Sequence, residues 1–253
     1  MISTIMQSKK IFKAAAILLL WVAIWQFASM LINQELILPS PIRTLEALIE
    51  LCKTGEFYLS VLLSLLRILS GFALGVILGF LGAVLSHKFS LFSAVFSPLL
   101  KIIRAVPVAS FIIVVFYAIQ SDELPIFICF LMVLPMVWAN VENGLKNIDK
   151  QYLELAYIYK LNNFKTFWHI KFPFILPSFV STAITALGFA WKSGIAAEII
   201  CIPSFALGGL IEVSKRHFDM ADVFALTVVV ALLSIIIEAV IKSVVRRFTH
   251  VKD

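Results

Sequence analysis

The chain has 253 residues, 61% of them hydrophobic and only 14% charged, with a mean hydropathy of +1.01. Soluble domains run at about 45–50% apolar and about 25% charged residues, so this composition excludes a soluble globular protein and leaves an integral membrane protein. The net charge of +6 would suit nucleic acid, but it is distributed as membrane topology demands, and no nucleic-acid partner is expected. Cys52, Cys129 and Cys201 are odd in number and lack C-x-x-C spacing, which indicates neither a disulfide framework nor a metal site.

Residues 1–10 are short and basic, and Ala14 to Ile32 is long enough to span. No small-x-small site closes that run, so it is read as a retained first helix rather than a signal peptide. Residues 33–58 form a polar stretch in which Pro39 and Pro41 fix a turn and Thr44 caps a short amphipathic surface helix through Leu51. Leu59 to Ser86 is the second span. Its Gly71, Gly75, Gly79 and Gly82 make a flat stripe that lets another helix approach closely, either within one subunit or between subunits. After a mildly polar interval from His87, a third span is expected over Ala105 to Ile119. A fourth follows over Pro125 to Val141, kinked at Pro135. Glu142 to Lys171 is polar. A fifth span runs from Phe172 to about Ile200, Pro203 to Asp222 is a loop, and Val223 to Val240 is the last span before a basic tail.

Lys and Arg concentrate in alternate connections. Lys9, Lys10 and Lys13 lie on one side with Lys88, Lys101, Arg104, Lys146, Lys150, Lys160, Lys165, Lys171 and the tail residues Lys242, Arg246, Arg247 and Lys252. Arg43, Lys53, Arg67, Lys215 and Arg216 fall on the other. By the positive-inside rule this predicts about six spans with both termini cytoplasmic. The chain reads as one all-α polytopic membrane domain over 1–253. It divides into an N-terminal helix with an external segment (1–58) and a core (59–248) carrying a cytoplasmic loop (142–172).

That loop holds the stretch LELAYIYKLNNFKTFWHIKFPFILP, residues 153–177. Its charges keep it out of hydrocarbon, where each central charge costs about 2.5–3.5 kcal/mol. A polar break at Asn162-Asn163 separates two helical segments, the second running from Phe164 to Phe172 and ending at Pro173. Phe164, Phe167, Trp168 and Lys171 share one face of it, suited to a partner's groove or to lipid headgroups. The chain contains no G-x-x-x-x-G-K-[ST], H-E-x-x-H, G-x-S-x-G or G-x-G-x-x-G, so catalysis within it is not expected.

Glu154-Leu155-Ala156 followed by Phe174-Ile175-Leu176-Pro177 resembles the E-A-A…I-x-L-P signature of permease subunits of binding-protein-dependent ABC importers. Lys160 replaces the usual glycine, which would shift the bend to Asn162-Asn163. Leu38-Pro39-Ser40-Pro41, Arg104-Ala105-Val106-Pro107, Ala197-Glu198 and Leu207-Gly208-Gly209-Leu210-Ile211 look like landmarks of the nitrate/sulfonate/taurine type, so the resemblance covers residues 36 to 248. It implies a type I importer permease fold with cytoplasmic coupling helices, in the plasma membrane of a bacterium. It also implies a second permease copy, a cytoplasmic ATPase that binds the ATP and magnesium, and an extracytoplasmic solute-binding protein. The chain itself would then hold no cofactor. Carried over, the docking positions are Glu154, Ala156 and Lys160 with Leu161, Asn162 and Phe164.

Lys192 and Glu198 are charges within a span, and such residues line a cavity or an interface by default. Lys192, with Trp191 and Glu198, is a candidate for the translocation path of an anionic solute. The alternative is that Lys192 snorkels or pairs with a neighbouring helix. The resemblance allows nitrate, taurine or a sulfonate, and also thiamine-precursor pyrimidines or riboflavin. A self-contained secondary transporter is the reading of another class, although no duplicated halves are visible.

Overall fold

The computed structural model describes residues 2–249, and every element among them is helical. In chain order these are α1 (Ile2–Ile32), α2 (Pro41–Leu51), α3 (Gly55–Lys88), α4 (Ser90–Ala105), α5 (Val108–Phe116) and α6 (Leu124–Lys146). There follow α7 (Lys150–Ile158), the single turn α8 (Asn163–Thr166), a wide π-turn (Phe167–Lys171), α9 (Phe172–Cys201), α10 (Leu207–Arg216) and α11 (Met220–Thr249). Five helical stretches are long and apolar enough to cross a membrane.

The expected third span takes a different form. Pro107 starts α5 and, lacking an N–H, ends the helix before it. The result is a bent pair, α4 and α5, meeting at 104°. Only if this pair counts as one crossing does the chain reach six. The stretch Pro203–Asp222, expected as a loop, contains the ten-residue helix α10. Ser40 rather than Thr44 caps α2: its hydroxyl accepts from the Arg43 N–H, Pro41 occupies the first turn, and buried Thr44 donates back to the Ser40 carbonyl at 3.0 Å.

The bundle is built around α3, α6 and α9. Gly71, Gly75, Gly79 and Gly82 are all buried, and all face α6. At Gly75 an added Cβ would stand 2.6 Å from the Val133 Cβ, and at Gly79 2.9 Å from the Leu134 carbonyl oxygen. At Gly71 it would strike the Ile126 carbonyl, and at Gly82 the Trp138 ring. The stripe is therefore a packing seam within this chain. On the next face, Gly194 of α9 meets Ile68 and Cys129, and the Cys129 thiol donates to the Ala190 carbonyl at 3.2 Å. Trp138 stacks on Phe92 of α4 at 5.8 Å between centroids, which fixes α4 against α6.

Over Ala15–Ile32, α1 presents an apolar, largely exposed surface, as a lipid-facing helix would. Trp25 ties it to the bundle, its indole donating to the Pro39 carbonyl at 3.0 Å and its ring lying 5.9 Å from Phe224 of α11.

The seam predicts opposite results at two glycines. Gly71→Ala should destabilise by about 1–3 kcal/mol, because a carbonyl of α6 cannot yield as a side chain can. Gly188→Ala, with nothing within 4 Å, should be neutral or should stabilise by up to about 1 kcal/mol. Thermal unfolding in detergent reads both.

Candidate functional site

Helix α7 projects from one end of the bundle. Asp149 caps it by accepting from the Gln151 N–H at 3.0 Å, and of its residues only Ala156 is buried. Tyr157 is 84% exposed and Ile158 73%, with Leu155, Tyr152 and Tyr159 also exposed. Lys150, Leu153, Glu154, Tyr157 and Ile158 line a shallow groove there. Large apolar side chains on a short helix outside the spans are unusual for a surface that stays in water.

The bend after α7 lies at Lys160 itself and does not shift to Asn162-Asn163. Lys160 adopts φ +50°, the left-handed conformation that glycine takes most readily. The Leu161 N–H reaches the Ala156 carbonyl at 2.9 Å and the Lys160 N–H reaches Tyr157 at 3.0 Å, a Schellman cap made without glycine. Asn162 then starts the next turn, its side chain accepting from the Lys165 N–H at 2.8 Å. Glu154, Ala156, Lys160, Leu161, Asn162 and Phe164 thus form one helix–turn–helix corner. Glu154, Lys160, Asn162 and Phe164 are exposed, Leu161 is half-buried and Ala156 is buried.

The segment from Phe164 does not end at Pro173. Asn163–Cys201 is one 39-residue helical run. The π-turn admits the proline: the Phe172 N–H bonds to Phe167, five residues back, and Pro173 enters the first turn of α9. Phe167 turns inward beside Phe80 of α3, whereas Phe164 and Trp168 remain exposed. Lys171, at the end of the π-turn, lies 3.2 Å from Nε2 of His87.

On α9 the three sequence candidates part company. Trp191 is buried and its indole donates to the Val230 carbonyl at 3.1 Å, joining α9 to α11. Glu198 is wholly enclosed. Lys192 is exposed, below Ser181, Thr185 and Gly188 on the same face, all within the span. Nine residues before Cys201, it sits about 13 Å from that end of the helix.

Glu198 belongs to a polar cluster, buried at Ser64 and Glu198 and open at Asp122, that sequence reasoning missed. Its Oε2 accepts from the Ser64 hydroxyl at 2.8 Å and from the Gly208 N–H at 3.1 Å. Arg67 lies beside it, Nη1 4.0 Å from Oε1. The Arg67 fork donates to the Phe205 carbonyl (3.0 Å), the Ser204 carbonyl (2.7 Å) and Asp122 (2.9 Å). The sequence did carry a signal: an arginine twelve residues inside a spanning helix requires a partner. Outside the spans, hydrogen bonds from Lys215 and Arg216 hold the Glu212 carboxyl below the usual carboxylate range. A hydrogen bond to Glu46 raises Arg43 above its ordinary value.

The strained corner gives a stability prediction. A non-glycine residue in the left-handed region costs about 1–2 kcal/mol, so Lys160→Gly should raise the unfolding midpoint and β-branched Lys160→Val should lower it. Differential scanning of the two variants checks the sign.

The family described as binding-protein-dependent transport system inner membrane component matches residues 71–250. A protein of Escherichia coli strain K12 named for aliphatic sulfonates transport is 30% identical over 210 residues, covering 82% of this chain and 79% of its own. A formylaminopyrimidine transport permease protein of Halalkalibacterium halodurans is 29% identical over 232 residues, covering 88% and 89%. Among solved structures, an amino acid ABC transporter superposes with a TM-score of 0.63 over 80% of this chain and 97% of that one, at 14% identity, which is a likeness of fold. The chain belongs to the binding-protein-dependent inner membrane components, the multi-pass permeases of ABC importers.

Proposed function

We propose that this permease is driven by a cytoplasmic ATPase that docks on α7 and the Lys160 corner, and that a small anion crosses beside Lys192. The observation that carries the docking is the exposed apolar face of α7, Tyr157 and Ile158 foremost, on a short helix between the spans α6 and α9. Glu154 on the same helix supplies a charge to orient the contact. The α7 end faces the cytoplasm because Lys146, Lys150, Lys160, Lys165 and Lys171 gather there, which also sets both termini on that side. ATP and magnesium belong to the partner, since this sequence has no phosphate-binding loop.

A lysine exposed in the middle of a span is costly against lipid and stable against water or a second subunit. The stripe Ser181, Thr185, Gly188 and Lys192 therefore faces a path closed by a second permease copy, and an extracytoplasmic binding protein delivers the solute. The relative named for aliphatic sulfonates fits a cationic path. The formylaminopyrimidine relative would require that Lys192 contribute only a hydrogen bond.

Two measurements test these assignments. Replacing Tyr157 and Ile158 together by Asp should weaken ATPase binding by about 2 kcal/mol or more, and Glu154→Lys should uncouple ATP hydrolysis from uptake. Normal membrane insertion with full ATPase co-purification and full uptake would move the docking surface elsewhere. Lys192→Glu should abolish uptake of a sulfonate while Lys192→Arg retains it; equal uptake by both variants would end the anion-path assignment.

A further inference from the structure

The cluster around Arg67 joins three separate parts of the chain: α3, the connection before α6, and the 202–206 loop between α9 and α10. That loop is strained at both ends. Ile202 (φ +47°) and Phe205 (φ +47°) both occupy the left-handed region, which for a β-branched residue such as isoleucine is an outlier. Backbone of this kind persists only where its surroundings over-determine it. At Ile202 the N–H is held by the Glu198 carbonyl at 2.9 Å, and at Ser204 and Phe205 the surroundings are Arg67 and Asp122. The guanidinium binds the Ser204 and Phe205 carbonyls, and the same Oδ1 of Asp122 that accepts from Arg67 also accepts from the Ser204 N–H at 2.8 Å.

The opposite side of Arg67 is unfinished. Glu198 Oε1 is buried and has no hydrogen-bond partner, although Nη1 stands 4.0 Å away. Both Nη2 protons and one Nη1 proton are engaged by the loop and Asp122, so the remaining Nη1 proton has an acceptor just out of reach. A shift of about 1 Å, from 4.0 Å to ordinary hydrogen-bond length, would complete a pair with Glu198 and loosen the hold on the loop. Glu198 cannot move to meet it. Its other oxygen is fixed by Ser64 and Gly208, and Gly208 sits so close that a Cβ there would be 2.5 Å from the Glu198 Cβ.

We propose that Arg67 is a two-position latch at the outer end of the permease. In one position it clamps the 202–206 loop together with Asp122, and in the other it pairs with Glu198 and frees the loop. The side assigned to this end rests on the orientation proposed above. The latch would tie opening of that end to the same α9 that carries Lys192, since Glu198 lies six residues further along it.

The test uses the full chain in cell membranes, with Cys52, Cys129 and Cys201 replaced by Ser and a reporter Ala206→Cys in the clamped loop, where Ala206 is 2% exposed. Labelling by a membrane-impermeant maleimide is read in energised and in ATP-depleted cells, beside uptake. Asp122→Ala removes the acceptor shared by Arg67 and Ser204 and should raise resting labelling about fivefold or more. Arg67→Lys, which keeps the charge but not the fork, should do the same. Glu198→Gln removes the second position, so labelling should stay at the resting level even in energised cells while uptake falls about tenfold. A cluster that only holds the fold together predicts that all three variants raise labelling. That result, or Asp122→Ala labelling like its parent, overturns the latch. If the chain were not ATP-driven, the parent would label equally in energised and depleted cells, whereas the resting Asp122→Ala comparison would still read the clamp.

Discussion

The close contact of α3 with α6 is the constraint on which the rest of the bundle depends. Between helices in lipid there is little hydrophobic driving force, so association rests on packing and on polar groups finding partners. The four glycines of α3 let α6 lie directly on its backbone, against Ile126, Val133, Leu134 and Trp138 in succession. With those two helices seated, Gly194 of α9 fits into the corner made by Ile68 and Cys129. The same placement brings Arg67 level with Asp122, and Ser64 level with Glu198 and Gly208. The polar cluster is thus placed by the seam: Ser64 and Arg67 lie on α3, and Asp122 immediately precedes α6.

Long, strongly apolar segments were legible in the sequence because insertion depends on summed hydropathy over about 20 residues, a quantity local to the chain. That is why α1, α3, α6, α9 and α11 fall where hydropathy places them. The α4–α5 pair was not legible as a bend, since a proline at Pro107 marks a break but not the angle that packing against Trp138 and Ile128 imposes. Helix α10 was missed because its charged residues Glu212, Lys215 and Arg216 resemble a loop in composition. Their spacing, with both cations bonded back to Glu212, is that of a surface helix.

The candidate site divides in the same way. The corner at 154–164 could be read because its polarity contrasts with its flanks, and Ala156 and Lys160 are tied by the Schellman hydrogen bonds that end α7. What could not be read is that Lys160 takes over the glycine's conformation instead of displacing the bend, because local sequence does not say whether tertiary contacts will repay a strained residue. On α9, Trp191, Lys192 and Glu198 were alike as polar-capable residues in a span. Only the position of α11 and α3 decides that Trp191 and Glu198 point inward and Lys192 outward.

The connection between the corner and the span has a mechanical consequence. From Asn163 to Cys201 the chain is one helical run of 39 residues, about 58 Å at 1.5 Å per residue, with no flexible linker between the end that follows α7 and the level of Lys192. A helix interrupted at Pro173 would absorb a push from the corner by changing its angle. The π-turn prevents that interruption, and it lies where Phe80 of α3 meets Phe167, Phe172 and Phe179 edge-on. Those rings seat the start of α9 on α3, and Ser64 of α3 holds Glu198 near its other end, so the run that follows the corner is tied to α3 at both ends.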